Sequence, residues 1–135
     1  MNPQIRFGED LMSRVSYSMM NVGGDKEMTT VVREAINSLA KQLIKAAEIE
    51  KNALVEVVFV CNPVMHHLLL GIDPVELGQA PFALASSNAM TVRTSELDLT
   101  EMNPSGMCYI LPCIAGHVGA DAAADARSLT STVVA

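Results

Sequence analysis

The chain has 135 residues, a mass of 14.4 kDa and an apolar content of 50%, which fit one domain with an ordinary core and exclude a disordered protein. The net charge of −6 and the pI near 4.9 argue against a nucleic-acid-binding protein, because nothing attracts a phosphate backbone. With 18% charged residues and a mean hydropathy of +0.28, the chain is apolar for a soluble monomer. We expect a partner or a second copy to cover part of its surface.

The sequence predicts no membrane span and no signal peptide. The longest apolar stretch, residues 54–72, is interrupted by Glu56, Asn62, His66 and His67, whereas a spanning helix needs about 18 uninterrupted apolar residues. The first ten residues contain neither a basic region nor an apolar core of the kind that signal peptides carry. We therefore expect a cytoplasmic protein.

The cysteines are odd in number and form no Cys-x-x-Cys pair. They lie in apolar, strand-like surroundings at Cys61, Cys108 and Cys113. This pattern favours buried thiols over a metal or redox site. No metal is predicted to bind this chain.

A short helix is predicted over residues 8–20, where apolar residues recur at helical spacing. Glu9 and Asp10 are expected in its first turn, where the helix dipole favours acidic side chains. With Arg6 and Arg14 nearby, this cluster of charges indicates a solvated helix start rather than a catalytic carboxylate pair.

A second, longer helix is predicted to begin near Lys26. Paired glycines at positions 23 and 24 end the first helix, and Asp25 is expected to cap the second. Its apolar positions follow the i, i+3, i+4, i+7 pattern of a buried face. They are Met28, Val31, Val32, Ala35, Ile36, Leu39, Leu43 and Ile44.

A strand, a tight turn and a helix are predicted next. Residues 54–60 are β-branched and almost continuously apolar, which favours a strand covered on both faces. Asn62 is expected to cap a helix with Pro63 in its first turn and Gly71 at its end. A ligand site at Asn62 fits equally well, because open α/β sheets bind ligands at the carboxyl ends of their strands.

The second half of the chain predicts two further strands and one helix. Residues 72–89 form a connecting loop with one helical turn at 75–77, and residues 90–96 alternate like an edge strand. Residues 107–111 form another buried strand, and a last helix begins near residue 114 or 115. The sequence thus predicts a single α/β domain over residues 1–135, with a mixed sheet of three or four strands and a tail that frays from about residue 126.

The start of the last predicted helix is a second candidate site. Gly116 and Gly119 lie on either side of His117, and Asp121 follows His117 by one helical turn. A glycine-rich helix start with a histidine and a carboxylate could hold an anion or orient a water molecule. Close packing of small residues explains the same sequence more simply. We retain Gly116 and Gly119 as ligand-binding candidates and His117 and Asp121 as catalytic candidates.

Two adjacent histidines, His66 and His67, are a poor metal site. Neighbouring side chains on a helix point about a hundred degrees apart, and the positions where zinc would take further ligands hold Leu70 and Gly71. We expect one histidine to make a structural hydrogen bond and the other to lie at the surface.

Three runs of sequence closely resemble the ATP-dependent reductive activators of corrinoid proteins. Residues 2–17 read Asn-Pro-Gln-Ile-Arg-Phe-Gly-Glu-Asp-Leu-Met-Ser-Arg-Val-Ser-Tyr, residues 62–74 read Asn-Pro-Val-Met-His-His-Leu-Leu-Leu-Gly-Ile-Asp-Pro, and residues 111–121 read Leu-Pro-Cys-Ile-Ala-Gly-His-Val-Gly-Ala-Asp. The runs lie in the family's order and, with the segments between them, cover residues 2 to about 124. The chain is similar to a central segment of the family's ATPase domain.

The resemblance implies a larger protein, with an N-terminal ferredoxin-like [2Fe–2S] domain and a C-terminal ATPase domain of the actin, sugar kinase and heat-shock type. This segment would supply helices and inner strands of a ribonuclease-H-like half-domain, between two phosphate-binding hairpins. The chain contains neither the Asp-x-Gly-Thr of such hairpins nor the Cys-x4-Cys-x2-Cys spacing of such a cluster. ATP with Mg²⁺ and the cluster are therefore expected in the full-length parent and no cofactor in this chain.

The function that the resemblance implies is the return of a corrinoid from inactive Co(II) to Co(I) for methyl transfer. Its partner would be a corrinoid protein, and this segment alone would be inactive. The alternative is a small, non-enzymatic interaction or dimerisation domain. A homo-oligomer is expected in either case, because without the first hairpin a sheet edge stays open.

Overall fold

A computed structural model describes residues 3–80 and 83–113 and shows three helices and three strands there. The elements in chain order are α1 (Leu11–Met20), α2 (Gly24–Ala47), β1 (Glu56–Phe59), α3 (Pro63–Leu70), β2 (Met90–Arg93) and β3 (Met107–Ile110). The predicted α/β class is confirmed. The predicted last helix and the tail lie outside the described residues.

The strands form a mixed sheet in the order β1-β3-β2. β1 runs parallel to β3, with Phe59 opposite Ile110, and β2 runs antiparallel to β3, with Met90 opposite Ile110. Of the three or four strands expected, the described residues form three. Because side chains alternate across a strand, one face of the sheet carries Val57, Phe59, Met90, Val92, Cys108 and Ile110.

The main core lies between this face and α2. Val32, Ile36 and Ala40 follow one another at intervals of four residues and pack against Phe59 and the other apolar residues of that face. α3 adds Leu69 to this cluster, and residues 97–102, between β2 and β3, close it. None of the helices described has the length and apolar character that crossing a bilayer requires.

A second, smaller core cluster joins the three helices on the far side of α3. It contains Val15, Met28, Val64, Leu68 and Leu77. Leu77 belongs to a short 3-10 turn at Val75–Gly78, which confirms the helical turn predicted within the connecting loop. α2 and α3 each contribute to both clusters, so they hold the domain together.

Both helix starts differ from the sequence-based expectation, by three residues for α1 and by two for α2. Asp10 lies outside α1 as its N-cap, where its Oδ1 accepts a hydrogen bond from Ser13 N at 2.7 Å. This hydrogen bond lowers the pKa of the Asp10 carboxyl group. α2 begins at Gly24 with Gly23 as its cap, so the prediction that Asp25 caps it was wrong. Gly23 has a φ of 79°, which glycine adopts without strain.

The predicted apolar face of α2 was too wide. Leu39 and Leu43 are 56% and 48% exposed, whereas the row of Met28, Val32 and Ile36 is buried. An α-helix turns by about a hundred degrees per residue, so a row of residues beside the core-facing row points to the rim. This second row carries apolar side chains that the described residues leave about half exposed.

The two parallel strands are less enclosed than predicted. The strand expected at residues 54–60 spans Glu56–Phe59 and lies at the edge of the described sheet, with Glu56 exposed. In β3, Met107 and Tyr109 are 39% and 40% exposed. The helices described cover one face of the sheet, so every second strand residue is left at the other face. Within the described sheet, β2 lies at an edge, as predicted, and ends at Arg93.

Arg33 on α2 fastens the end of α3. Its Nε and Nη2 donate to Leu69 O at 3.1 and 2.9 Å, and its Nη1 donates to Asp98 Oδ2 at 2.8 Å. One α-helical turn earlier, Thr29 Oγ1 donates to Leu68 O at 2.7 Å. Leu68 O also accepts a hydrogen bond from Gly71 N at 3.2 Å, so the carbonyl groups at the end of α3 receive donors both from the helix cap and from α2.

Replacing Arg33 should cost far more stability than replacing its acidic partner. We expect Arg33→Ala to lower the free energy of unfolding by about 2–3 kcal/mol, because the Leu69 carbonyl loses charge-assisted hydrogen bonds. The matched change Asp98→Asn should have a much smaller effect, because the Asp98 side chain is 75% exposed. Urea denaturation of both variants measures the difference, and equal losses would contradict the assignment.

Candidate functional site

The start of α3 is the part of the described chain where polar and charged groups gather. It follows β1, whose carboxyl end lies beside that of the parallel strand β3. Asn62 caps the helix, and its Oδ1 accepts a hydrogen bond from Met65 N at 2.9 Å. Pro63 occupies the first turn and Gly71 ends the helix with a φ of 77°, as predicted. The capping role of Asn62 is therefore confirmed, and its role in ligand binding stays a prediction.

Arg14 reaches this turn from α1. Its Nε donates to Gly8 O at 3.0 Å, and its Nη1 lies 3.4 Å from Met65 Sδ. The residue is only 6% exposed, and burial lowers the pKa of its guanidinium group. The prediction of a solvated charge cluster was therefore wrong for Arg14, which lies inside the protein.

His67 makes the structural hydrogen bonds expected of one histidine. Its Nδ1 lies 2.8 Å from Pro63 O, and its Nε2 accepts a hydrogen bond from Ala85 N at 3.1 Å. With Nε2 as acceptor, the proton of the neutral ring belongs on Nδ1, which then donates to Pro63 O. Burial lowers the pKa of His67 and so favours this neutral form.

His66 does not lie at the surface, so this part of the prediction was wrong. The residue is fully buried, and neither ring nitrogen has a hydrogen-bond partner among residues 3–80 and 83–113. Burial, with the neighbouring His67 adding a smaller effect, lowers the pKa of His66 to about 4. The ring is therefore neutral near pH 7 and buried without polar contacts.

The three cysteines are buried thiols, as predicted. Cys108 lies in the central strand, and burial, together with the charge of Glu96, raises the pKa of its thiol to about 11. A thiol with so high a pKa stays protonated near pH 7 and is a poor metal ligand. Within residues 3–80 and 83–113, no three His, Cys, Asp or Glu side chains lie close enough to hold a metal ion.

The other candidates lie outside the described residues. These are the ligand candidates Gly116 and Gly119 and the catalytic candidates His117 and Asp121, all of which follow Cys113 in the chain. Their roles stay predictions.

Sequence reasoning missed the burial of Arg14 and His66. Arg14 carried a signal, since Leu11, Arg14 and Ser18 follow the same helical phase as the buried Val15. His66 carried a weaker one, because it stands among apolar residues on a short helix that is buried nearly all round.

Three comparisons identify similar proteins. A family described as the RACo middle region matches residues 1–130. The corrinoid activation enzyme RamQ of Eubacterium limosum is 31% identical over 124 residues, which are 92% of this chain and 21% of that protein. A solved structure titled reductive activator for corrinoid, iron-sulfur protein superposes with a TM-score of 0.84 at 37% identity, over 89% of this chain and 19% of that one.

These matches agree with one another in extent. The chain spans about a fifth of the length of either relative, yet each match covers most of the chain. The family match extends over residues 1–130 of the 135 residues. The chain therefore belongs to the family described as the RACo middle region.

Proposed function

We propose that this chain is a segment of an ATP-dependent reductive activator that returns a corrinoid from Co(II) to Co(I). The observation that carries this proposal is the identity of 31% with a protein named as a corrinoid activation enzyme, sustained over 92% of the chain. The partner is a corrinoid protein, and the parent protein acts in the cytoplasm. Residues 1–135 form one structural unit within it.

The residues described do not fit the cofactors of the parent protein. Cys108 stays protonated in the central strand, and the cysteines lack cluster-binding spacing, so they do not suit a [2Fe–2S] cluster. No Asp-x-Gly-Thr occurs anywhere in the chain to grip the phosphates of ATP. Cluster and nucleotide chemistry is therefore assigned to other parts of the parent protein.

The segment's own contribution is structural. The mixed sheet with α2 and α3 on one face is the kind of layer that a ribonuclease-H-like half of an actin-type ATPase needs. Because α2 and α3 share both core clusters, the segment can move as one body when the ATPase domain changes shape. Such a movement would link ATP hydrolysis in the parent protein to electron transfer to the corrinoid.

The test uses the protein encoded by the complete reading frame that contains this segment. Expressed with its iron–sulfur domain and mixed with a Co(II) corrinoid protein, it should generate the Co(I) absorption band faster with Mg-ATP than with a non-hydrolysable analogue. Equal rates with both nucleotides would refute the proposal. A reading frame without Asp-x-Gly-Thr motifs on either side would also refute it and favour a separate interaction domain.

The 135-residue chain alone should neither hydrolyse ATP nor bind it tightly, because it lacks a phosphate-binding hairpin and a glycine-rich P-loop. Titration calorimetry with Mg-ATP should give no micromolar binding. A dissociation constant in the micromolar range would contradict the fragment assignment and indicate a self-sufficient nucleotide-binding module.

Self-association is favoured by the position of β1. Within the described sheet β1 pairs only with β3, so its other edge offers backbone donors and acceptors to a further strand. Pairing of two copies through this edge would give a two-fold dimer. We therefore expect the isolated chain to sediment as a dimer or a larger assembly at tens of micromolar.

Two matched variants locate the contact. Val58 on β1 and Thr91 on β2 stand in the same row of the sheet, on either side of Tyr109. Val58→Lys should shift sedimentation towards the monomer, because lysine on an edge strand opposes strand pairing, whereas Thr91→Lys should leave the assembly intact. A wild-type chain that sediments as a monomer would contradict the prediction.

A further inference from the structure

Arg14 is a buried cation that forms no ion pair with any acidic side chain among the described residues. It is 6% exposed, yet the one ion pair within residues 3–80 and 83–113 joins Arg33 to Asp98. The negative charge of Asp10 has a minor effect on Arg14, because it only partly offsets the lowering of the Arg14 pKa by burial. The Oδ1 atom of Asp10 accepts the hydrogen bond that caps α1. A buried charge without a counter-charge is costly to fold, so its presence calls for an explanation beyond packing.

The guanidinium group is held in place by a hydrogen bond and still has N–H donors that are not fully used. Its Nε donates to Gly8 O, and its Nη1 contacts the sulfur of Met65, which is a weak acceptor. Its Nη2 has no acceptor among the described residues. The Nη1–Nη2 end of the fork is therefore the part that remains for another group, and it is positioned by the Nε hydrogen bond.

The first turn of α3 adds positive potential at the same place. Met65 N and His66 N donate to the side chain and the carbonyl of Asn62, and Pro63 has no N–H group. Val64 N is then the first-turn donor with no acceptor in the part of the chain described. The positive end of the helix dipole reinforces Arg14 instead of neutralising it.

We propose that Arg14, together with the first turn of α3, binds an oxyanion: a phosphate or a carboxylate group. The fork of arginine matches two oxygens of either anion, and both anions would supply the missing counter-charge. The contact joins two separate runs of the sequence, residues 2–17 and 62–74. This inference does not depend on corrinoid activation or on ATP hydrolysis.

The site should be weak and selective. One arginine and one helix start bind an oxyanion in the millimolar range, which is compatible with the prediction that this chain does not bind ATP tightly. Loss of the charged donor should weaken binding roughly tenfold or more. If Arg14 had only a structural role, replacing it would change the stabilisation by an added oxyanion no more than replacing an exposed arginine does.

The experiment compares potassium phosphate, potassium acetate and potassium chloride at equal ionic strength, with the 135-residue chain and two variants. Phosphate or acetate, but not chloride, should raise the melting temperature of the wild type and of Arg6→Gln, a matched change at an exposed arginine. Arg14→Gln should lose this response. A larger rise with phosphate identifies a phosphoryl site, and a larger rise with acetate identifies a carboxylate site.

A second measurement avoids the variant altogether, in case Arg14→Gln does not fold. In ¹⁵N spectra of the wild-type chain, phosphate or acetate should shift the Arg14 Nε–H and Val64 N–H signals with one saturating curve, while Arg33 Nε–H stays still. Equal responses to chloride, or equal shifts at Arg33, would overturn the proposal.

Discussion

Replacing Gly8 by alanine should lower the free energy of unfolding by about 3 kcal/mol or more. Gly8 has a φ of 156°, and an added Cβ would lie 2.5 Å from Ser13 Cβ and 2.8 Å from Arg14 N. The positive φ costs about 1–2 kcal/mol for a residue with a side chain, and the overlap forces a backbone shift of similar cost. The shift would also move the Gly8 carbonyl away from Arg14 Nε.

Gly23 provides the matched control. Its φ is 79°, and nothing lies within 4 Å of the position that a Cβ would take. Gly23→Ala therefore bears only the conformational cost, about 1 kcal/mol. Chemical denaturation of both variants measures the contrast. Equal losses would show that packing around Gly8 adapts to the extra methyl group.

Acid should destabilise the protein through His66, by about 3 kcal/mol between pH 6.5 and pH 4. Burial lowers the pKa of His66 from 6.5 to about 4 in the folded state, and each pKa unit corresponds to 1.36 kcal/mol. In this window the unfolded chain binds a proton that the folded chain does not. Stability is therefore complete above pH 6.5 and falls as the pH drops towards 4. His67, whose pKa is also lowered, acts in the same direction.

His66→Leu isolates this effect. The ring nitrogens have no hydrogen-bond partners in the part of the chain that the structure describes, so an apolar side chain of similar size should leave stability at pH 7 unchanged or raised. The difference between wild type and variant should then grow as the pH falls, while contributions of carboxyl groups cancel. A loss of stability at pH 7 would show that the His66 ring has a partner after all.

His67→Leu should behave in the opposite way. It removes the hydrogen bonds to Pro63 O and from Ala85 N, so it should destabilise the protein at pH 7 by about 1–3 kcal/mol. Thermal unfolding at pH 7 measures this loss beside that of His66→Leu. If both histidine variants are equally stable, the assignment of roles to the pair is wrong.

The elements with strong local signals could be predicted from the sequence. An N-cap asparagine, a proline in the first turn and a terminal glycine define α3 within a few residues, because each acts on its own neighbours. The mixed sheet was predicted from apolar runs separated by turns, whereas the order β1-β3-β2 was not predicted. The buried state of the cysteines followed from their surroundings.

What escaped prediction depends on contacts between distant parts of the chain. Whether Leu39 is covered depends on which row of α2 meets the sheet, and the hydrophobic pattern permits two adjacent rows. Arg14 is buried because α1 packs beside the start of α3, 51 residues away. The burial of His66 likewise follows from tertiary packing. Local residue spacing gives only a partial signal for Arg14 and His66, because the contacts that bury them come from distant parts of the chain.

The sharing of α3 between two core clusters has a consequence for how the protein opens. Leu69 packs into the cluster on the sheet, while Val64 and Leu68, on the same two turns, pack into the cluster with α1. Neither cluster can separate without the loss of the packing contacts on one face of α3. The two halves of the interior are therefore expected to lose protection together, so that amide hydrogens in α3 exchange at the rate set by global unfolding while those near Lys51 exchange by local fraying.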